Sequence, residues 1–262
     1  MATLANVAAI LRGFSADRLE LSVTEVSRLL GIPKSSASRL LTSMRAEGLL
    51  VKANDSLRYR IGPLLFEVAR LHRSSSTLIE QADQQLAGVC KETGHTGYVS
   101  ILDQSDVLVI RVHPGRSVLR VVTALGHRAP AFATATGRTL LARLTDDQVA
   151  KLHPDGLSPP SESAPRTLPE LLEALQGVRR RGWAEAIDEA VPGVDSIAVA
   201  VADLENAEML SFCLTFPPSQ VGKEDKERIL ELLINAARVI ATKVDDPVWL
   251  PLSKTAKVAG IR

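Results

Sequence analysis

A chain of 262 residues, 45% of them hydrophobic, can bury one large core or two ordinary ones, and its net charge of +1 names no partner by itself. The charge is unevenly spread: residues 1–73 hold eleven Lys/Arg against six Asp/Glu (+5), and the rest hold twenty against twenty-four (−4). The two cysteines, Cys90 and Cys213, exclude a disulfide framework and lack metal-ligand spacing, and no apolar run approaches the length of a membrane span. With no leader sequence at its start, the chain reads as a reduced, soluble, cytoplasmic protein that needs no cofactor.

Residues 4–14 predict a first helix, whose apolar face fits either a core or a dimer contact. The stretch from Ser22 to Gly62 carries the strongest signal. Ser22 and Glu25 have the spacing of a capping box, Val23, Val26, Leu29 and Leu30 follow as a helical stripe, and Gly31 stands where a left-handed stop is needed. A second helix is predicted from about Pro33, with Ala37, Leu40, Leu41 and Met44 on its apolar side. Its other side holds Lys34, Ser35, Ser36, Ser38, Arg39, Thr42 and Arg45, with no acidic residue before Glu47. Hydroxyls and helix N-termini hold phosphate, and long cations neutralise it or pair with guanine edges. A hairpin then runs from Leu49 through a turn at Asn54-Asp55-Ser56 to Ile61, with Arg58 and Arg60 on one face of its return strand. Two helices, a tight turn and a basic hairpin describe a winged helix-turn-helix, and the basic head on an acidic body agrees with DNA as its partner.

Gly62-Pro63 opens a further helical stretch, and the small polar run Arg73 to Thr77 reads as a hinge or a helix break between domains. Another amphipathic helix ends near Gly94, after which the period shortens. Strands are predicted at 98–102, 107–112 and 118–122, helices at about 135–152 and 168–181, strands at 183–188, 196–203 and 208–215, and a long helix from Lys223 to Lys243. The three-residue connection at 104–106 forces its strands to be antiparallel. The expected architecture is α+β: a winged helix-turn-helix at 1–62, a linker helix at 63–76, an antiparallel-sheet domain flanked by helices at 77–244, and a poorly ordered tail at 245–262.

Four segments together resemble the IclR-type transcriptional regulators of bacteria: GIPKSSASRLLTSMRAEGLL and YRIGPLLFEVARL in the head, ALGHRAPAFATATGRTLLARL and RGWAEAIDEAVPGVDSIAVAV in the body. The likeness covers roughly residues 5–242. It implies a GAF-like second domain that binds a small effector, homodimers that can pair into tetramers, and control of a catabolic operon by a carboxylate or aromatic acid. It places DNA contacts on Pro33, Lys34, Ser35, Ser36, Ser38 and Arg39, with Arg58 and Arg60 in the wing. The effector is implied to lie against the turn Thr134-Ala135-Thr136-Gly137 and the loop ending in Ser196, with Val121 and Thr215 contributed from the sheet. Small residues at that turn allow close approach, and N–H groups opening a helix favour an anion.

Two positions depart from the family pattern. Ala186-Ile187-Asp188-Glu189 stands where members often carry Asp-Asp-Glu-Glu, and Ser196 where a cysteine is common. In an extended segment Ala186 and Asp188 point the same way, so Asp188 is expected to substitute in part for the missing acid. Ala186 then suits a ligand with a larger apolar portion. The symmetric dimer is expected to read a pseudo-palindrome, with the helix at 63–73 carrying the effector's influence to the heads.

Competing readings are weaker. The histidines show no metal-pair spacing, although His127-Arg128 before Pro130 could reach the pocket rim. Ser196, Asp188 and a histidine lack the elbow that a hydrolase triad needs, and Arg179-Arg180-Arg181 suits a helix end better than a second DNA site. The alternatives are an enzyme or small-molecule-binding module tethered by the head, and a constitutive DNA binder with a decayed pocket.

Overall fold

The computed structural model describes residues 4–15, 18–53, 56–75, 77–116 and 123–250, with side chains described outside 70–75. It divides into two compact units, residues 1–76 and 77–262.

In the first unit α1 (Leu4–Arg12), α2 (Val23–Leu30) and α3 (Lys34–Ala46) are followed by strands β2 (Leu50–Lys52) and β3 (Arg58–Ile61) and then by α4 (Pro63–Ser75). The capping box forms: the Glu25 N–H donates to Ser22 Oγ at 3.3 Å, and the Ser22 N–H donates to Glu25 Oε2 at 2.7 Å. Gly31 closes α2 with φ +63°, a backbone state that a residue with Cβ adopts at a penalty. Proline at 33 sits one position before α3 as its cap residue. Ile10 of α1 is buried with Val26, Ala37, Leu40, Leu41, Met44, Leu50 and Tyr59 in one core. A short strand β1 (Leu21–Ser22), not foreseen from the sequence, adds to β3, giving the order β1-β3-β2. The Asn54-Asp55 turn lies outside the described residues.

The second unit is built on a six-stranded antiparallel sheet of order β6-β5-β4-β9-β8-β7. Its strands are β4 (Thr96–Asp103), β5 (Asp106–His113), β6 (Arg128–Pro130), β7 (Trp183–Ile187), β8 (Asp195–Asp203) and β9 (Glu208–Phe216). One face is covered by α5 (Thr77–Thr93) and α9 (Lys223–Val244), where Leu78, Leu86, Leu233 and Ile240 meet Val199, Phe212 and Phe216. The other face receives α6 (Ala135–Leu141) and α8 (Leu168–Arg181), through Leu140, Leu141, Leu171 and Leu175. Burial on both faces explains why β8 reads as an almost unbroken apolar run.

Two expectations change, and a third lies outside the described residues. The helix predicted across 135–152 is two, α6 and α7 (Asp146–Leu152), because Thr145 and Gln148 form a capping box that starts a new helix. The strand predicted at 118–122 lies outside the described residues, and the short β6 pairs with β5. The tail does not loosen at residue 245. Asp246 is fully buried, its carboxylate pairs with Arg143 through two 2.9 Å contacts, and the Trp249 indole N–H donates to the Ala200 carbonyl at 2.8 Å. Residues 251–262 lie outside the described residues.

Candidate functional site

In the head, α3 turns its two faces as the sequence predicts: Ala37, Leu40, Leu41 and Met44 are buried, while Lys34, Ser35, Arg39, Thr42 and Arg45 are exposed, with Ser36 and Ser38 half-buried. Pro33 is exposed at its start. Lys34, Arg39 and Arg45 take no ion pair among the described residues, so their charges face solvent. The Thr42 hydroxyl donates to the Ser38 carbonyl at 2.8 Å, one turn back along the helix.

The two wing arginines differ. Arg60 is exposed and, among the described residues, reaches only Glu20, at 3.8 Å. Arg58 is engaged inside the head: its Nη2 donates to both Glu25 oxygens, at 3.1 and 2.9 Å, and to the Glu20 carbonyl at 3.1 Å. The Glu25 carboxyl is lowered to about 2, first by its bonds with Ser22 and then by the Arg58 guanidinium. Arg58 therefore braces the capping box of α2, a contact across 33 residues of sequence that strand alternation alone does not reveal.

In the body, a cavity of about 130 Å³ opens on the α6 side of the sheet. Its floor is made by side chains from neighbouring strands in register. Ala186 of β7 pairs with Ser196 of β8, which pairs with Thr215 of β9, and Tyr98 of β4 pairs with Cys213 of β9. Small residues on that face leave room above the sheet. Val107 and Val109 of β5 and Ser100 of β4 continue the wall, Thr134 and Thr136 close one side, and Ala190, Val191 and Val194 form a roof.

The wall is held by ion pairs that do not themselves line it. Lys226 of α9 donates to Glu185 at 2.8 Å and to Asp195 at 2.9 Å, gripping the strand positions next to Ala186 and Ser196 from the opposite face. Arg138 of α6 forms a bidentate pair with Glu189, with Nη2 to Oε1 at 2.7 Å, and also donates to the Glu185 carbonyl. Both partners are buried. The pair joins α6 to the segment that roofs the cavity, and sequence pattern gives no sign of it, since fifty-one positions separate the partners.

Thr136, Ala186, Ser196 and Thr215 line the cavity. Ala135 does not: it is fully buried in a cluster with Tyr98, Ala184 and Ala198. Gly137 does not either, and its smallness serves another purpose, because a Cβ there would lie 2.0 Å from the Ala131 carbonyl oxygen. Its N–H donates to the Thr134 hydroxyl at 3.0 Å, so that donor is already used. Asp188 also stands apart. The strand ends at Ile187, Asp188 takes φ +55°, and the alternation that would align it with Ala186 is broken. Its carboxylate instead accepts from the Gly193 N–H at 2.6 Å and closes the roof turn. Val121 lies outside the described residues.

Sequence reasoning missed Tyr98, Ser100 and Thr123. The Thr123 N–H donates to the Tyr98 phenol oxygen at 2.8 Å, and burial raises the phenol above its ordinary range. Burial likewise pushes the Cys213 thiol up to about 12, which keeps it a neutral wall group. Of the arginine run on α8, Arg179 binds Asp146 at 2.7 Å and Arg181 lies 4.0 Å over the Trp183 ring, which makes two of the three structural. Among the described residues no cluster could hold a metal ion and no helix is long and apolar enough to cross a membrane.

Comparison with known proteins agrees with this fold. Residues 71–242 match the family described as the bacterial transcriptional regulator IclR C-terminal domain, and residues 3–53 match the IclR helix-turn-helix domain. The chain is 28% identical over 247 residues to the HTH-type transcriptional regulator KdgR of Escherichia coli, covering 93% of each chain. Two solved structures share the fold. An IclR transcriptional regulator from Silicibacter sp. TM1040 superposes with a TM-score of 0.84 at 21% identity, over 95% of this chain and 100% of that one. An IclR homologue from Microbacterium hydrocarbonoxydans, solved in complex with 4-hydroxybenzoate, gives 0.79 at 22% identity, over 93% and 99%. The chain belongs to the IclR family of DNA-binding transcriptional regulators.

Proposed function

We propose that the protein controls a catabolic operon in response to a small organic acid bound in the body cavity. The observation that carries this is the cavity itself: a solvent-connected space above the sheet, walled by valines and alanines and set with the hydroxyls of Tyr98, Ser100, Thr136, Ser196 and Thr215. Such a mixture of apolar wall and a few polar groups suits a compact organic ligand. The 4-hydroxybenzoate complex of the Microbacterium homologue is a precedent for an aromatic acid.

On the DNA side, Pro33, Lys34, Ser35, Ser36, Ser38, Arg39 and Thr42 of α3 are proposed to enter the major groove, with Arg60 against the backbone and Arg58 supporting the head from within. A homodimer, or a pair of dimers, would match a pseudo-palindromic site. The effector acts only as far as its affinity differs between the DNA-bound and free protein. Ala186 in place of an acid favours a ligand with a larger apolar portion. Ala186→Asp should then weaken binding of that ligand, and unchanged affinity would remove this part of the proposal.

The test is selection of sheared genomic DNA from the source organism on the full-length protein, with and without a panel of small acids. Enrichment of a pseudo-palindromic site, with affinity that falls steeply with salt and shifts with one acid, is the expected result. Acids that bind while leaving DNA affinity unchanged would instead support a binding module tethered by the head. Recovery of salt-sensitive background alone, under every condition, would overturn the proposal.

A further inference from the structure

His127 occupies a defined place at the cavity mouth. Its carbonyl accepts from the Val109 N–H at 3.0 Å, its N–H donates to the Ala124 carbonyl at 3.1 Å, and the Gly126 N–H donates to the Val109 carbonyl at 2.8 Å. These bonds tie the turn to β5, and Gly126 takes φ +81° to allow it. His127 lines the cavity while remaining exposed, and its ring nitrogens take no hydrogen bond among the described residues. Arg128, its neighbour, is used elsewhere, in ion pairs with Asp103 and Asp106.

The rest of the described wall contains no Lys, Arg, Asp or Glu. Two other lining groups can titrate, Tyr98 and Cys213, and neither can become a cation. Pressed against the described inner wall, which carries no cationic side chain, a carboxylate would lose water without gaining a counter-charge, which is expensive. At the mouth it keeps solvent on one side and meets an imidazole that donates a hydrogen bond in either protonation state.

We infer that His127 is a specificity-determining residue, which holds the carboxylate of a small monocarboxylic acid at the cavity mouth while the uncharged body of the acid points inward toward Tyr98, Ser196 and Thr215. This rests on the reading of the cavity as the effector site. It disfavours dianions, for which the described lining offers one basic side chain for two charges, and it disfavours cations.

The experiment is calorimetric titration of the full-length protein with benzoate and with its neutral isostere benzamide. Wild type should prefer benzoate by about tenfold, the scale of one hydrogen bond to a charged group. His127→Gln should lower benzoate affinity by about the same factor and leave benzamide unchanged, and His127→Lys should restore the preference. Because His127 is exposed, neither variant threatens folding. Thr215→Val serves as the inner-wall control and should weaken both probes. If Thr215→Val weakens both probes while His127→Gln weakens neither, the cavity reading stands and the inference about His127 falls. If wild type binds neither probe nor phenylacetate nor hexanoate at millimolar concentration, or if no variant alters binding, the effector-site reading and the inference fall together.

Discussion

Glu189→Ala should destabilise the body by about 3 kcal/mol, the low end of what removing one partner of a buried ion pair costs. The side chains of Arg138 and Glu189 are 7% and 11% exposed, so deletion of the carboxylate strands a guanidinium that water cannot reach. The low end is chosen because Arg138 keeps its bond to the Glu185 carbonyl. For a unit of this size each kcal/mol shifts the melting temperature by roughly 2–4 °C, giving a fall of roughly 6–12 °C. Both tryptophans of the chain, Trp183 and Trp249, lie in the body, so tryptophan fluorescence follows its unfolding without interference from the head. Replacing both partners by apolar residues, Arg138→Met with Glu189→Leu, should recover most of the loss, since no buried charge is then left unpaired. A single-variant loss below about 1 kcal/mol would refute the claim that this pair fastens the cavity roof to α6.

Gly137→Ala should yield little folded protein at any temperature, because its Cβ would meet Ala131 backbone atoms 2.0–2.5 Å away that no rotamer change can move; a wild-type fluorescence melt from this variant would contradict the packing. Glu25 contributes to head stability in proportion to its depressed carboxyl, which is lowered to about 2 from its ordinary value of 4.5. A folded value below the unfolded one stabilises above about pH 4.5, and that contribution is lost as the pH falls toward 2. Glu25→Gln should therefore flatten the acid dependence of the head's amide NMR signals, and an unaltered profile would assign acid sensitivity to other groups. Arg39→Ala should weaken operator binding by about 1–3 kcal/mol if Arg39 reads a base edge. Arg58→Ala should lower the head's melting temperature while leaving the salt dependence of DNA binding unchanged, and the opposite pattern would return Arg58 to the DNA face.

The head was almost fully readable because its determinants are local. A capping box, a left-handed glycine and a 3.6-residue stripe act within a few positions, and the buried set of α3 follows directly from Ala37, Leu40, Leu41 and Met44. What escaped was nonlocal: the bond from Arg58 to Glu25 and the short strand β1 exist only once the chain has folded back. The same division holds in the body. Strand order and the register of Ser196 with Thr215 gather residues that sequence can only nominate singly. Ala135, Gly137 and Asp188 fall outside the cavity lining for identifiable reasons. Smallness in a turn reports either ligand approach or close packing, and Gly137 shows the second. Alternation carries a side-chain direction only as far as the strand persists, and β7 stops one residue before Asp188. Arg138 and Glu189 show no pattern in sequence because their meaning is their meeting.

The closing segment has a consequence for how this protein can be handled. β7 pairs with β8 only as far as Val199, so the backbone of β8 beyond that point would present open donors and acceptors along a sheet margin. Side chains take those places: Arg143 and Trp249 donate to the Ala200 carbonyl, and Asp246 accepts from the Ala202 N–H. An uncovered margin of this kind is a template for strands of another molecule. The matched family region ends at residue 242, four residues before Asp246. A chain shortened to that boundary keeps every strand and all but the last two residues of α9 and yet bares an adhesive rim, so it should self-associate where a chain ending at residue 250 stays dispersed.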